Sequence, residues 1–224
     1  MDAERGLILS HGDDGPAGLL GEWLTEHGRD YEVHDVTKAS VPALGEPTFV
    51  ASLGSERSAT DAGTSWVAEE IDLLRAAIAA EVPVLGLCFG GQALSIALGG
   101  EVVRAEPAQI GWFELSDRLD GIPPGPWFHW HYEQLSVPPG GAALARSEAG
   151  PAAFRHGRHL GLQFHPEVTL AMIAAWSRSE EALAKVGVSA EELRAESERR
   201  APLARRQAWE LFELWWEGRA RPGS

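Results

Sequence analysis

A chain of 224 residues, 44% hydrophobic and 23% charged, is long and apolar enough to bury one substantial core, which excludes intrinsic disorder. Nineteen Lys and Arg against 33 Asp and Glu leave a formal charge of −14, a field that repels nucleic-acid phosphates and anionic lipid alike. One cysteine cannot form an internal disulfide, no apolar stretch approaches the ~18 residues of a membrane helix, and the charged start Met1-Asp2-Ala3-Glu4-Arg5 lacks the apolar centre of a secretory leader, so a cytoplasmic location is expected.

Residues 6–10 (Gly-Leu-Ile-Leu-Ser) form a short apolar run that predicts a buried strand, and the polar His11-Gly12-Asp13-Asp14-Gly15-Pro16 reads as the loop that follows it, in preference to a lining of the sheet's carboxyl edge by His11-Gly12-Asp13-Asp14. Leu19, Leu20, Trp23 and Leu24 then recur at helical spacing over 17–27, closed by Gly28, a residue that tolerates the left-handed backbone of a helix end. Strands are expected at 30–36 and 48–53, a helix at 66–80 with Ile71, Leu74 and Ile78 on one face, and a fully apolar strand at 82–87. Apolar strands alternating with helices imply a mostly parallel sheet covered on both faces.

Helical signals vanish after residue 100. Runs at 101–105, 111–116, 143–147, 152–155 and 159–164, broken by Pro- and Gly-rich turns at 121–126 and 138–141, predict antiparallel strands that extend the sheet. The chain turns helical again after Thr169, with Ser189-Ala190-Glu191-Glu192 as a capping box and Pro202 as a helix start. Trp209, Trp215 and Trp216 share a terminal amphipathic helix with Leu211, Phe212 and Leu214, which predicts packing onto the body of the protein. Glu191 to Glu198, followed by Arg199-Arg200 and Arg205-Arg206, reads as a solvated helical face with i,i+4 pairs. The expected organisation is one domain over 1–224, with a core at 6–176 and a helical extension at 177–220.

Gly86-Leu87-Cys88-Phe89-Gly90-Gly91-Gln92 stands where an apolar strand ends and a helix, expected at 93–98, begins. A Gly-x-nucleophile-x-Gly turn forces its central residue into a strained conformation and presents it at the sheet's carboxyl edge. There the unpaired amides and dipole of a helix N-terminus favour a thiolate. A lone cysteine can equally be one more small buried apolar residue. The second constellation is Gln163-Phe164-His165-Pro166-Glu167. His165 precedes proline and is pushed towards extended backbone, so His165 and Glu167 can project to the same side, a base with its orienting carboxylate. His129-x-His131 invites a metal, but no Cys, His and Asp cluster has zinc-site spacing.

These residues resemble the class I, or triad, glutamine amidotransferases, most closely the stand-alone members similar to GMP synthase. The resemblance runs from Gly6 to about Trp176 through the cysteine elbow, Gly111-Trp112, Trp130-His131, Pro138-Pro139-Gly140 and Phe164-His165-Pro166-Glu167-Val168-Thr169. It implies an α/β, flavodoxin-like amidotransferase fold with an added antiparallel portion and C-terminal helices. It also implies a catalytic triad of Cys88, His165 and Glu167, with no cofactor or metal. The expected substrate is L-glutamine, and the expected partner a separate synthetase polypeptide that takes up the ammonia.

The same resemblance implies an oxyanion hole made by the Phe89 amide and a second amide after the third strand. There the family usually reads Gly-Gly-Pro, and Leu53-Gly54-Ser55 leaves only Gly54 for the role. Gln92 resembles the glutamine that helps hold the substrate. Where family members commonly show His-Gly-Asp, this chain has His131-Tyr132-Glu133, residues expected to border the substrate. Glu133 there meets either the substrate's α-ammonium or solvent. Two other functions stay open on sequence: a hydrolase of larger γ-glutamyl amides, which the same triad serves, and a non-catalytic regulatory relative.

Overall fold

The computed structural model describes residues 5–119 and 122–219; the charged start at 1–4, Gly121 of the expected turn and residue 220 of the expected extension lie outside them. Five parallel strands make up most of a seven-stranded sheet: β1 (Gly6–Ser10), β2 (Tyr31–Asp35), β3 (Val50–Ser52), β4 (Val84–Leu87) and β9 (His159–Leu162). Two antiparallel strands, β7 (Ala142–Ser147) and β8 (Gly150–His156), complete the order β2-β1-β3-β4-β9-β8-β7. The run at 159–164 is therefore a parallel neighbour of β4 rather than an antiparallel addition.

Alternation of side chains places Ile8 with the helices on one face and Leu7 and Leu9 with those on the other. The first face carries α1 (Gly18–Glu26) and α6 (Ala190–Gly218), and its core includes Trp23, Phe49, Phe212 and Trp215, each at most 1% exposed. The second face carries α2 (Ser65–Ala79) and α3 (Phe89–Ala97). Between α3 and β7, two runs expected as separate strands join into one long β5 (Val102–Phe113), which pairs with β6 (Trp127–Leu135). The two form a sheet of their own instead of extending the central one. A backbone bond from His165 to Phe128, 2.8 Å, ties β6 to the chain just beyond β9.

After β9 come α4 (Leu170–Trp176), α5 (Glu180–Val186) and α6. The Ser189 side chain accepts from the Glu192 amide at the start of α6, as the capping motif predicts. Pro202, expected to start a helix, instead lies inside this one 29-residue helix. Its ring removes one backbone bond at a cost of ~3 kcal/mol. Glu198, whose carbonyl is the one freed, is exposed to water. Burial on both sides outweighs the loss: Leu193 before the proline, and Leu211, Phe212 and Trp215 after it, contribute roughly 1.5–3 kcal/mol each. Arg205 pairs across to Glu22 and Glu26 of α1 rather than along its own helix, whereas Arg200 and Glu196 form the expected i,i+4 pair at 2.7 Å.

Candidate active site

The apolar residues of β4 end at Leu87, and the chain turns directly into α3. Cys88 sits in the turn with φ 51° and ψ −105°, a left-handed conformation that L-residues with a Cβ rarely adopt. The turn is possible because its glycines let backbones touch: a Cβ on Gly86 would meet the Gly90 carbonyl, one on Gly90 the Ser52 carbonyl, and one on Gly91 the Leu162 carbonyl. Cys88 N–H donates to Leu162 O at 2.8 Å, and Gly90 N–H to Leu53 O at 3.1 Å, fixing the elbow to β9 on one side and to the end of β3 on the other. Phe89 opens α3, so its amide is one of those without an intrahelical acceptor.

The chain leaves β9 towards the same edge. His165 Nδ1 donates to Glu167 Oε1 at 2.7 Å, both side chains being almost wholly buried. Glu167 is itself placed by the Leu19 amide, which donates to its backbone oxygen at 2.8 Å. That approach requires Gly18, at φ +49°, because a Cβ there would strike the same oxygen. The His165 ring packs edge-on against Trp176, whose indole donates to Asp14 O at 2.9 Å. Gly54 marks where the two halves meet: a Cβ on it would lie 2.8 Å from His165 Cε1 and 3.8 Å from Cys88 Cβ.

Charge at the site is set by this packing. Burial alone disfavours a charged imidazole, but the Glu167 carboxylate and then the Cys88 sulfur outweigh it, and His165 is pushed up to about 10. His165 Nε2 is buried without a hydrogen-bond partner among the described residues. Behind it, burial drives His131 down to about 4 and His129 well below its ordinary value, with the charge of His165 adding to both.

The model of the class I glutamine amidotransferase family matches residues 53–173, which include Gly54, Cys88, His165 and Glu167. The chain belongs to this family. Among solved structures, a class I fold of the same extent is the glutamine amidotransferase of Methylobacillus flagellatus, 26% identical with a TM-score of 0.88 over 99% of this chain and 97% of that one. A glutamine amidotransferase of Thermotoga maritima is 25% identical with a TM-score of 0.84 over 95% and 98%. The glutamine-hydrolysing GMP synthase of Aeropyrum pernix is 33% identical over 178 residues, 75% of this chain and 34% of that protein. The chain thus spans at most about a third of the length of the curated relatives it matches.

The remaining expected site residues lie around the same edge. Gln92 Nε2 donates to Glu133 O at 3.0 Å, and Glu133 Oε1 accepts from Ser58 Oγ at 2.9 Å. His131 is buried with both ring nitrogens engaged, Nδ1 with Glu133 O and Nε2 with His129 Nδ1, at 3.0 and 3.1 Å. Tyr132 points outward, its hydroxyl donating to Ala182 O at 3.3 Å and its ring under the Lys185 ammonium. No group of three or more His, Cys, Asp or Glu among the described residues could hold a metal. Sequence reasoning gave no role to Gln163, whose Nε2 donates to Cys88 Sγ at 3.8 Å while its Oε1 accepts from the Leu135 amide at 2.9 Å. Its position two residues before His165, at the end of a buried strand, is the signal that marks it.

Proposed function

We propose that this chain hydrolyses the side-chain amide of L-glutamine at Cys88 and delivers the ammonia to a separate synthetase polypeptide. The observation that carries the reading is the convergence, against Gly54, of a cysteine in a strained strand-to-helix turn and a buried His165–Glu167 pair. The Cys88 thiolate attacks the amide carbon, and charge collects on the carbonyl oxygen. The Phe89 and Gly54 amides receive that oxyanion, an interaction for which losing one donor typically costs about 3–4 kcal/mol. His165 Nε2 gives its proton to the departing nitrogen, the C–N bond breaks, and ammonia leaves a γ-glutamyl thioester on the sulfur. Water then loses a proton to the same nitrogen as it attacks, the C–S bond breaks, and glutamate is released with the thiolate restored. Glu167 holds the imidazole in orientation and offsets its charge through both steps, and the Gln163 amide steadies the sulfur. The name of the Aeropyrum relative supports glutamine as the substrate.

Trapping with the diazo ketone analogue of glutamine, 6-diazo-5-oxo-norleucine, followed by peptide mapping, tests the reading. One label per chain on the peptide containing Cys88, absent in Cys88→Ser, is the expected result. An unlabelled protein at excess reagent overturns the proposal. Hydrolysis of bulky γ-glutamyl amides as fast as glutamine would replace ammonia delivery by self-contained γ-glutamyl hydrolysis.

A further inference from the structure

We infer that His11 is a positioning residue for the oxyanion loop, held by a buried Ser52–Glu70 pair and clamping the peptide between Gly54 and Ser55. The inference rests on the glutaminase reading above and assigns a part of its machinery. The three side chains come from the ends of β1 and β3 and from α2. Each is buried, with Glu70 and Ser52 0% exposed and His11 8%. Ser52 Oγ donates to Glu70 Oε1 at 2.5 Å, and Glu70 Oε2 lies 2.8 Å from His11 Nε2. His11 Nδ1 lies 3.0 Å from Gly54 O. A carbonyl oxygen can only accept, so Nδ1 carries a hydrogen and donates it there. The ring is wedged between Phe89 and Trp66, with centroids 4.7 and 5.0 Å away.

A carboxylate on the apolar face of α2 carries a desolvation cost that only satisfied partners offset. Here both of its oxygens have partners, and the chain of bonds ends on the backbone of the loop beside Cys88. That backbone is fixed at two successive planes. Gly90 N–H donates to Leu53 O at 3.1 Å. Because a trans peptide is planar, that bond also sets the direction of the Gly54 N–H. His11 fixes the next plane through Gly54 O. A proline at the following position would restrict its φ through its ring. Ser55 has no such ring, and the His11 hydrogen bond supplies the restraint from outside the loop.

Side-chain amides separate this role from general packing. In His11→Asn the amide nitrogen falls near the position of Nδ1 and keeps the donor to Gly54 O. In His11→Gln it falls near Nε2 and keeps only the link to Glu70. His11→Asn is expected to retain kcat within about threefold, and His11→Gln to lose about 10- to 100-fold in kcat at nearly unchanged KM, the scale of a displaced transition-state donor. Hydrogen exchange over residues 53–57 should quicken in His11→Gln and not in His11→Asn, while iodoacetamide alkylates Cys88 at the same rate in both.

Equal kcat and equal exchange in the two variants would overturn the inference. So would equal losses that follow a common fall in Tm. Should His11→Gln not fold, Glu70→Leu, which suits the apolar face of α2, must still lower kcat about tenfold; an unchanged kcat refutes the clamp. A parent protein that does not hydrolyse glutamine would refute the glutaminase reading instead, and the exchange comparison then decides the clamp without activity.

Discussion

At His165 two influences oppose each other, and their balance sets a pH dependence. Burial works against the imidazolium, while Glu167 and Cys88 favour it and prevail. Removing the carboxylate charge in Glu167→Gln should therefore move the alkaline limb of kcat/KM to lower pH by about 1–3 units, the usual reach of a charge at contact distance. A limb that stays in place would show that the charge of His165 is set elsewhere. That Cys88 and the His165–Glu167 pair would meet at one edge of the sheet was legible in the sequence because both lie in motifs whose backbone consequences are local: flanking glycines for Cys88, and a following proline for His165. Glu70 and His11 were not, since their meeting depends on β1 and α2 being adjacent in space. The trace that sequence does carry is a carboxylate three residues after Val67 and four before Leu74, on the face those residues bury.

Among the elements, α6 shows how far packing overrides local preference. Pro202 reads as a boundary by every local rule, yet Leu193 on one side and Phe212 and Trp215 on the other are buried in different clusters and hold the helix continuous. Pro202→Ala should return a donor to the exposed Glu198 carbonyl and stabilise the protein by about 1–2 kcal/mol, less than the full helix penalty because a proline also restricts the unfolded chain. Urea unfolding would register this as a higher midpoint at unchanged slope, and a lower midpoint would mean that the proline sets a bend the packing needs. The parallel strands were readable from their uninterrupted apolar runs. β6 was not, because Trp127 to Leu135 mixes aromatic, histidine and acidic residues, and its burial comes from β5 and from the chain after β9 instead of from a helix-covered sheet. For the same reason β5 was expected in the central sheet and is found outside it.

For the molecule as a whole, the histidines set opposite limits on stability. His131 and His159 are each lowered to about 4, first by burial and then by neighbouring positive charge. A group that stays neutral in the fold but protonates at its ordinary value when unfolded withdraws stability as pH falls from about 6.5 towards 4, by about 1.4 kcal/mol per unit and group. His165 has the reverse sign. Its contribution is complete below about 6.5 and is lost as pH rises towards 10. Unfolding free energy should therefore peak near neutrality and fall on both sides, with His159→Gln flattening the acid arm alone; an acid arm of unchanged steepness would discount the buried histidines as its origin.

The aromatic core beneath β1 and β3 gives this molecule a distinctive order of events at the ribosome. Trp23 packs at a tilt against Phe212 and Trp216, and Phe49 meets Trp215 and Trp216 edge-on. At ordinary translation speeds of ~5–20 residues per second, the early rings wait roughly 10 to 40 s for their late partners to be made. Until then the nascent sheet presents an oily underside, and the interval when chaperones matter most is the one before α6 emerges.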